Sequence, residues 1–269
     1  MTGTVSTSTD SGSGSNEGGD PPECLSFTIG GEWGHFRRIE GNIVKQTYRI
    51  IPRTTVAGLV AAILGLGRNE YYDLFQPENS AIAIEPVRTL RTINMPMNTL
   101  STAGEDIKTV PSRGRKLKIG LPDPTKPRQQ HNYEVLVEPA YRIDLWLKDE
   151  SQYSALQKSL KEGRSYYTPS LGLSEHLAWI EYHGEFPVES GPRDGRVAVD
   201  SAVPEQTEAV VPETDVAYGV ERSPAFMERH KGGRRTTGFT SYAFNPEAGP
   251  LTIESPVTQV VDGRTVMFV

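Results

Sequence analysis

The sequence predicts an α+β fold: a β-α-β-β-α-β core, a long basic arm inserted between its two middle strands, and a small C-terminal β region. Three observations carry that prediction. Apolar residues alternate with period two in "CLSFTIGG", "SAIAIEP" and "AYRIDLWL", as they do in half-buried strands. The stretches "TTVAGLVAAIL" and "SQYSALQKSLKE" repeat their apolar residues at helical spacing and are followed by glycine. Between the second and third of those strands lies a polar segment too long for a turn and rich in proline, glycine and cations. This order is the plan of a ferredoxin-like or RNA-recognition-motif fold with a protruding hairpin.

Residues 1–22 are rich in serine, threonine and glycine and offer too little apolar surface to offset the entropy of ordering, so a disordered leader is expected. Residues 23–184 are expected to form the ferredoxin-like domain. Leu25, Phe27 and Ile29 mark its first strand. Val56, Leu59, Val60, Ile63 and Leu64 mark the first helix, with Thr54 or Thr55 as its N-cap and Gly65 and Gly67 as its stop. Ala57, Gly58, Ala61 and Ala62 thin that helix so that it can lie close to a sheet. "SAIAIEPVRTLRTINMP" reads as the second strand, and the arm spans about 88–130. Val135 and Val137, then Tyr141, Ile143 and Leu145, continue the alternation in "HNYEVLVEPAYRIDLWLK". A second helix runs Ser151–Glu162 with Tyr153, Leu156 and Leu160 on one face, and "HLAWIEYHGEF" follows as a strand. A boundary near Glu185 leaves 185–269 as a loop-rich linker and a small β region with strands in "TTGFTSYAF", "GPLTIESPVTQVV" and "TVMFV".

The formal charge of −6 argues against a surface that attracts nucleic acid everywhere, but the charges are unevenly placed. Between Lys108 and Arg128, in the arm, Lys108, Arg113, Arg115, Lys116, Lys118, Lys126 and Arg128 face only Asp123, giving that stretch +6. Such an arm either binds a phosphate backbone or is a solvated loop. A second group, "HFRRIEGNIVKQTYRIIPR", interleaves Arg37, Arg38, Lys45, Arg49 and Arg53 with His35, Phe36 and Tyr48, the cation-plus-aromatic mixture that single-stranded nucleic acid requires. Phe36 and Tyr48 are open to a second reading, as core residues. In "ERHKGGRRTTGF", Lys231, Arg234 and Arg235 surround two glycines in either a phosphate cradle or a hairpin turn.

Other classes find little support. Cys24 is the single cysteine, so there is no disulfide framework, and no Cys/His spacing suits a metal; no cofactor is expected. No apolar run is long enough to span a membrane and the N-terminus lacks the pattern of a secretory signal, so the expectation is a cytoplasmic protein. His35, His131, His176, His183 and His230 form no metalloprotease pattern, and phosphate-loop and nucleophile-elbow motifs are lacking. His176 reads as a partly buried strand residue, and Trp33, Trp146 and Trp179 as core or interface anchors.

Three segments carry a family resemblance. "TYRIIPRTTVAGLVAAILG" resembles the strand-Pro-helix signature of the fifth CRISPR-associated (Cas) protein family, a branch of the repeat-associated RNA-binding superfamily. "RQQHNYEVLVEPAYRIDLWL" is similar to its strand after the arm, and "YYTPSLGLSEHLAWI" to its Pro-x-Leu-Gly turn. The resemblance implies a subunit of a type I CRISPR surveillance complex (Cascade) that grips the 5′ handle of the CRISPR RNA, bends it with an arm or thumb, and caps the filament of backbone subunits. The implied partners are CRISPR RNA, the backbone and large subunits, and target DNA through the complex. One enzymatic branch cleaves precursor RNA without metal, using a tyrosine and a Lys-His pair. Tyr48 matches the tyrosine, but Gln129 and Gln130 precede His131 and no Lys-His dipeptide occurs. The expectation is therefore a non-catalytic handle binder, closest to type I-B systems. The alternative is a metal-independent endoribonuclease using Tyr48 and His131.

Overall fold

The computed structural model describes residues 21–38, 44–99, 107–112, 115–120, 129–205, 210–231, 233–254 and 256–269; of these, 107–112 and 115–120 are described by their main chain only. The expected leader, 1–22, lies almost entirely outside the described residues. The central sheet has four strands, β1 (Glu23–Gly30), β2 (Ser80–Pro86), β3 (Ala140–Leu147) and β4 (Trp179–Pro187), in the order β4-β1-β3-β2. All neighbours are antiparallel. Helix α1 (Arg53–Leu64) lies between β1 and β2 in the chain, and α2 (Glu150–Lys161) between β3 and β4. Period-two alternation sets the register, so Phe27 lies opposite Ile143 and Ile143 opposite Ile84. Leu25, Phe27, Ile29, Ile143 and Leu145 are fully buried and share one core with Val56, Val60 and Ile63 of α1 and Leu156 and Leu160 of α2. Each such side chain contributes roughly 1.5–3 kcal/mol by leaving water.

The helix ends follow local chemistry. Asp149 caps α2 by accepting from the main-chain N–H groups of Ser151 and Gln152, both at 3.0 Å. At α1 the expected threonine cap is displaced: Pro52 is the N-cap, and its carbonyl accepts from Thr55 at 2.8 Å and Val56 at 3.1 Å. Proline fixes the extended backbone that leads in, so the turn needs no side-chain cap. Gly65 ends α1 in the left-handed region, where the Tyr166 ring also approaches too closely for any side chain.

The second face of the central sheet is closed by the C-terminal residues. Cys24, Ala83, Val261 and Val266 form a small apolar cluster there. Arg264 pairs with buried Asp144 at 2.8 Å and with Glu85 at 2.6 Å, and Arg142 pairs with Asp262 at 2.7 Å. Burial pushes the Glu85 carboxyl up, and Arg264 opposes that shift. This face is therefore not available as an open platform.

Two ladders flank the core. Strand Arg91–Thr99 pairs antiparallel with Gln129–Val137, and Ile107–Ser112 with Arg115–Gly120. The arm expected at about 88–130 thus has a ladder that runs on to Val137: Val135 and Val137, read as part of a core strand, stand opposite Ile93 and Arg91 outside the central sheet. The stretch read as one second strand is broken at 87–90, where the chain leaves the central sheet for this ladder. Towards the C-terminus, Gly219–His230 and Gly233–Phe244 form a long hairpin whose Tyr242 and Phe244 enter the main core. Only the second of those strands was expected.

Candidate nucleic-acid interface

Between α1, the base of the 91–99/129–137 ladder and the C-terminal hairpin lies a cleft of about 680 Å³. Its walls form from the sequence outward. The strand Phe36–Arg37 pairs with Thr47–Tyr48, placing Arg37 opposite Thr47. Lys45 sits on Val44–Lys45, which runs parallel to the ladder with Lys45 beside Tyr133. Helix α1 contributes Thr55, Gly58 and Ala62 among others: of the four small residues expected to face the sheet, Ala57 and Ala61 are buried, whereas Gly58 and Ala62 are half-buried and leave room on the cleft side. The hairpin contributes Met227, Arg234 and Thr236.

A further wall is the loop after α2, through Thr168, Ser170, Gly172 and Leu173. Gly172 has φ 95°, and a side chain there would come within 1.9 Å of the His35 carbonyl oxygen. The loop is thus pressed onto the 35–37 segment, and the His35 N–H donates to the Leu171 carbonyl at 2.9 Å. His35 lines the cleft but is buried. Its ring Nδ1 lies 2.8 Å from the Glu134 carbonyl, so Nδ1 carries the proton and donates. Its Nε2 is buried with no partner among the described residues. Burial holds its pKa below 6.5.

Arg37, Lys45 and Arg234 thus converge with Phe36, Tyr48 and Tyr133, and among the described residues lining the cleft none is acidic. Low-dielectric walls carrying one sign of charge concentrate an anionic strand. Phe36 and Tyr48, 3% and 7% exposed, are core residues, the second of their two readings, and each has an edge on the cleft.

Other residues proposed from the sequence lie elsewhere. Arg53 is a correction. It is fully buried, donating to the main-chain oxygens of Phe75 at 2.6 Å, Val269 at 3.0 Å, Ser80 at 3.3 Å and Ala225 at 3.4 Å, with its guanidinium over Phe226. Its pKa is lowered by burial to about 10, so it stays charged, and it joins distant segments instead of meeting RNA. Arg38 lies over the Tyr48 ring and is paired with Glu221, facing a separate depression of about 300 Å³ that also contains Glu134. Glu221 in turn accepts from the N–H groups of Arg49 and Ile50. Arg235 pairs with Glu228 on the adjacent strand. His230 lies opposite Gly233 at the end of the hairpin, which agrees with the hairpin-turn reading of that stretch. His176 precedes β4 instead of lying in it, buried in a turn. His131 stands on the ladder opposite Met97 and is not among the residues lining the cleft.

Of the arm cations, Arg113, Lys126 and Arg128 lie outside the described residues, as do the side chains of Lys108, Arg115, Lys116 and Lys118. Sequence reasoning missed Tyr71, Tyr133, Thr168, Ser170 and Thr236 in the cleft walls. The aromatic-polar alternation of "HNYEV" was the one available signal for Tyr133. Among the described residues, no cluster of three or more His, Cys, Asp or Glu could hold a metal, and no helix is long and apolar enough to cross a membrane.

Comparison with known proteins follows the same lines. A crystal structure of a CRISPR protein from Archaeoglobus fulgidus is similar at 15% identity and TM-score 0.51, covering 91% of this chain and 98% of that one. A chain from a structure titled "CRISPR RNA-guided surveillance complex" is similar at 14% identity and TM-score 0.50, covering 89% and 91%. At these identities the likeness is one of fold. A search of curated proteins returns no match. The family described as "CRISPR-associated protein (Cas_Cas5)" matches residues 24–236, most of the sequence, and the chain therefore belongs to the Cas5 family of CRISPR-associated proteins.

Proposed function

We propose that this Cas5 protein is a non-catalytic subunit of a type I CRISPR surveillance complex that grips the 5′ handle of the CRISPR RNA and caps the filament of backbone subunits. On this reading the β4-β1-β3-β2 sheet with its two helices is a ferredoxin-like, RNA-recognition-type core, and the 91–137 insertion is its thumb. The observation that carries the reading is the cleft, where Arg37, Lys45 and Arg234 stand with aromatic side chains and no carboxylate among its described lining residues. Phosphates pair with the cations while bases meet the half-buried rings of Tyr71 and Tyr133, Phe36 and Tyr48 being core residues that back the wall. CRISPR RNA is the primary partner; the backbone subunit, the large subunit and target DNA join through the assembled complex. The lack of a Lys-His pair supports the branch that leaves cleavage to a separate endonuclease, as in type I-B systems.

Two features support the absence of catalysis. His131 is not part of the cleft wall, and His35, which is, has its unprotonated Nε2 buried beyond contact with a strand. General acid-base catalysis needs such a nitrogen within hydrogen-bond reach of the reacting oxygens. The test incubates purified protein with labelled repeat RNA in EDTA and runs native and denaturing gels from one tube. A shifted, intact RNA is expected. A discrete product that vanishes on Tyr48→Phe or His131→Ala would make the protein the processing endoribonuclease instead.

A further inference from the structure

The loop between α2 and β4 has two sides. One lines the cleft through Thr168 and Ser170. Immediately before it stand Tyr166 and Tyr167, which are 73% and 51% exposed although they are large aromatic side chains. Their backbone is not loose. Tyr166 N–H donates to the Ile63 carbonyl at 3.1 Å and Tyr167 N–H to the Ala62 carbonyl at 3.0 Å, which also accepts from the Gly65 N–H of the helix cap, so both tyrosines are tied to the last turn of α1. The Tyr166 ring lies against Gly65, and the two rings contact edge-on at 4.7 Å. Ala62, to which Tyr167 is bonded, is itself a wall of the cleft. The pair is therefore anchored in place, open to solvent and continuous with the cleft's end.

We infer that Tyr166 and Tyr167 form a stacking platform for unpaired bases of single-stranded RNA where the strand leaves the cleft. This rests on the RNA reading of the cleft. An aromatic ring fixed by its backbone and exposed on one face loses little entropy when a base settles on it, and it accepts any base because every base has a π face. Tyrosine suits this position because its ring stacks while its hydroxyl stays hydrated. Tyrosine serves protein interfaces equally well, so the direct continuity with a cationic cleft is what favours a nucleic-acid strand.

The test uses the full chain and single-stranded repeat RNA with 2-aminopurine placed at each position in turn, reading both affinity and fluorescence quenching. Quenching at one or two adjacent positions is expected. Tyr166→Ala and Tyr167→Ala should each abolish it and weaken binding roughly tenfold, while Tyr166→Phe and Tyr167→Phe should preserve both. Circular dichroism and melting temperature establish that each variant is folded. Folded alanine variants with unchanged quenching and affinity would overturn the platform. Charge reversal at Arg37 and Arg234 serves as a separate arm. If it leaves affinity unchanged, the cleft reading falls; if it abolishes binding while the alanine variants do nothing, the cleft stands and only the platform is lost.

Discussion

Arg53 shows how one residue can resist reading from sequence. A basic residue at the start of a helix beside an aromatic strand has the profile of a phosphate contact. The oxygens that satisfy it belong to residues 75, 80, 225 and 269, and nothing local announces them. Replacing Arg53 with methionine leaves those buried carbonyls without a donor, and a loss of roughly 3–5 kcal/mol is expected. Chemical denaturation measures it; RNA affinity of the folded fraction should be unchanged, and a selective loss of affinity with intact stability would return Arg53 to the interface. His35 makes a pH-dependent prediction. Burial lowers its folded pKa below 6.5, so the unfolded chain binds the proton more readily. Its stabilising contribution is complete above about 6.5 and is lost as pH falls through the folded value. His176 and His183 are lowered by burial as well, whereas Glu85 and Glu221 are raised by it and act in the opposite sense. The difference between wild type and His35→Gln isolates the one group. The variant should lose less melting temperature between pH 7.5 and 5.5, and equal losses would exclude His35.

At the scale of elements, legibility followed periodicity. The four central strands and both helices could be read because burial on one face imposes a regular pattern, and Tyr153, Leu156 and Leu160 are buried together as their spacing requires. Strand Gly219–His230 was missed because its pairing shifts register around Pro224 and Phe226, which breaks the alternation on which such a reading depends. The cleft was half legible: Arg37, Lys45, Tyr48 and Arg234 carry charge or aromatic character in basic clusters, but Thr168 and Ser170 come from a loop whose position only the tertiary fold decides. That loop is held by Gly172, and Gly172→Ala combines an unfavourable φ with a main-chain clash. It should cost roughly 1–3 kcal/mol or more and weaken RNA binding by displacing the cleft wall. Gly163→Ala is the comparison, since φ there is 60° but nothing lies within 4 Å, so a smaller thermal shift and unchanged RNA affinity are expected. Equal effects at both sites would show that the loop does not need its contact with His35.

At the scale of the whole molecule, a chain of net charge −6 binds RNA only if its cations are gathered locally. On the proposed reading, the arm and the cleft contribute separable parts of one electrostatic footprint. Each phosphate contact removed should reduce the slope of log affinity against log salt by about 0.7 for a single strand. Reversing Arg113, Arg115 and Lys116 to glutamate, and separately Arg37 and Arg234, should each flatten that slope; an unchanged slope in the arm variant would reduce the arm to a solvated loop.

The order of strands in the central sheet also governs how the protein is made. Strand β1 emerges from the ribosome first, yet it lies between β3 and β4, with Phe27 opposite both Ile143 and Tyr182. At a synthesis rate of about 5–20 residues per second, its two hydrogen-bonding edges wait roughly six to thirty seconds for their partners. A nascent chain therefore carries an apolar strand open on two sides, a template for mispairing between neighbouring polysomal copies that closes only when the last quarter of the core domain arrives.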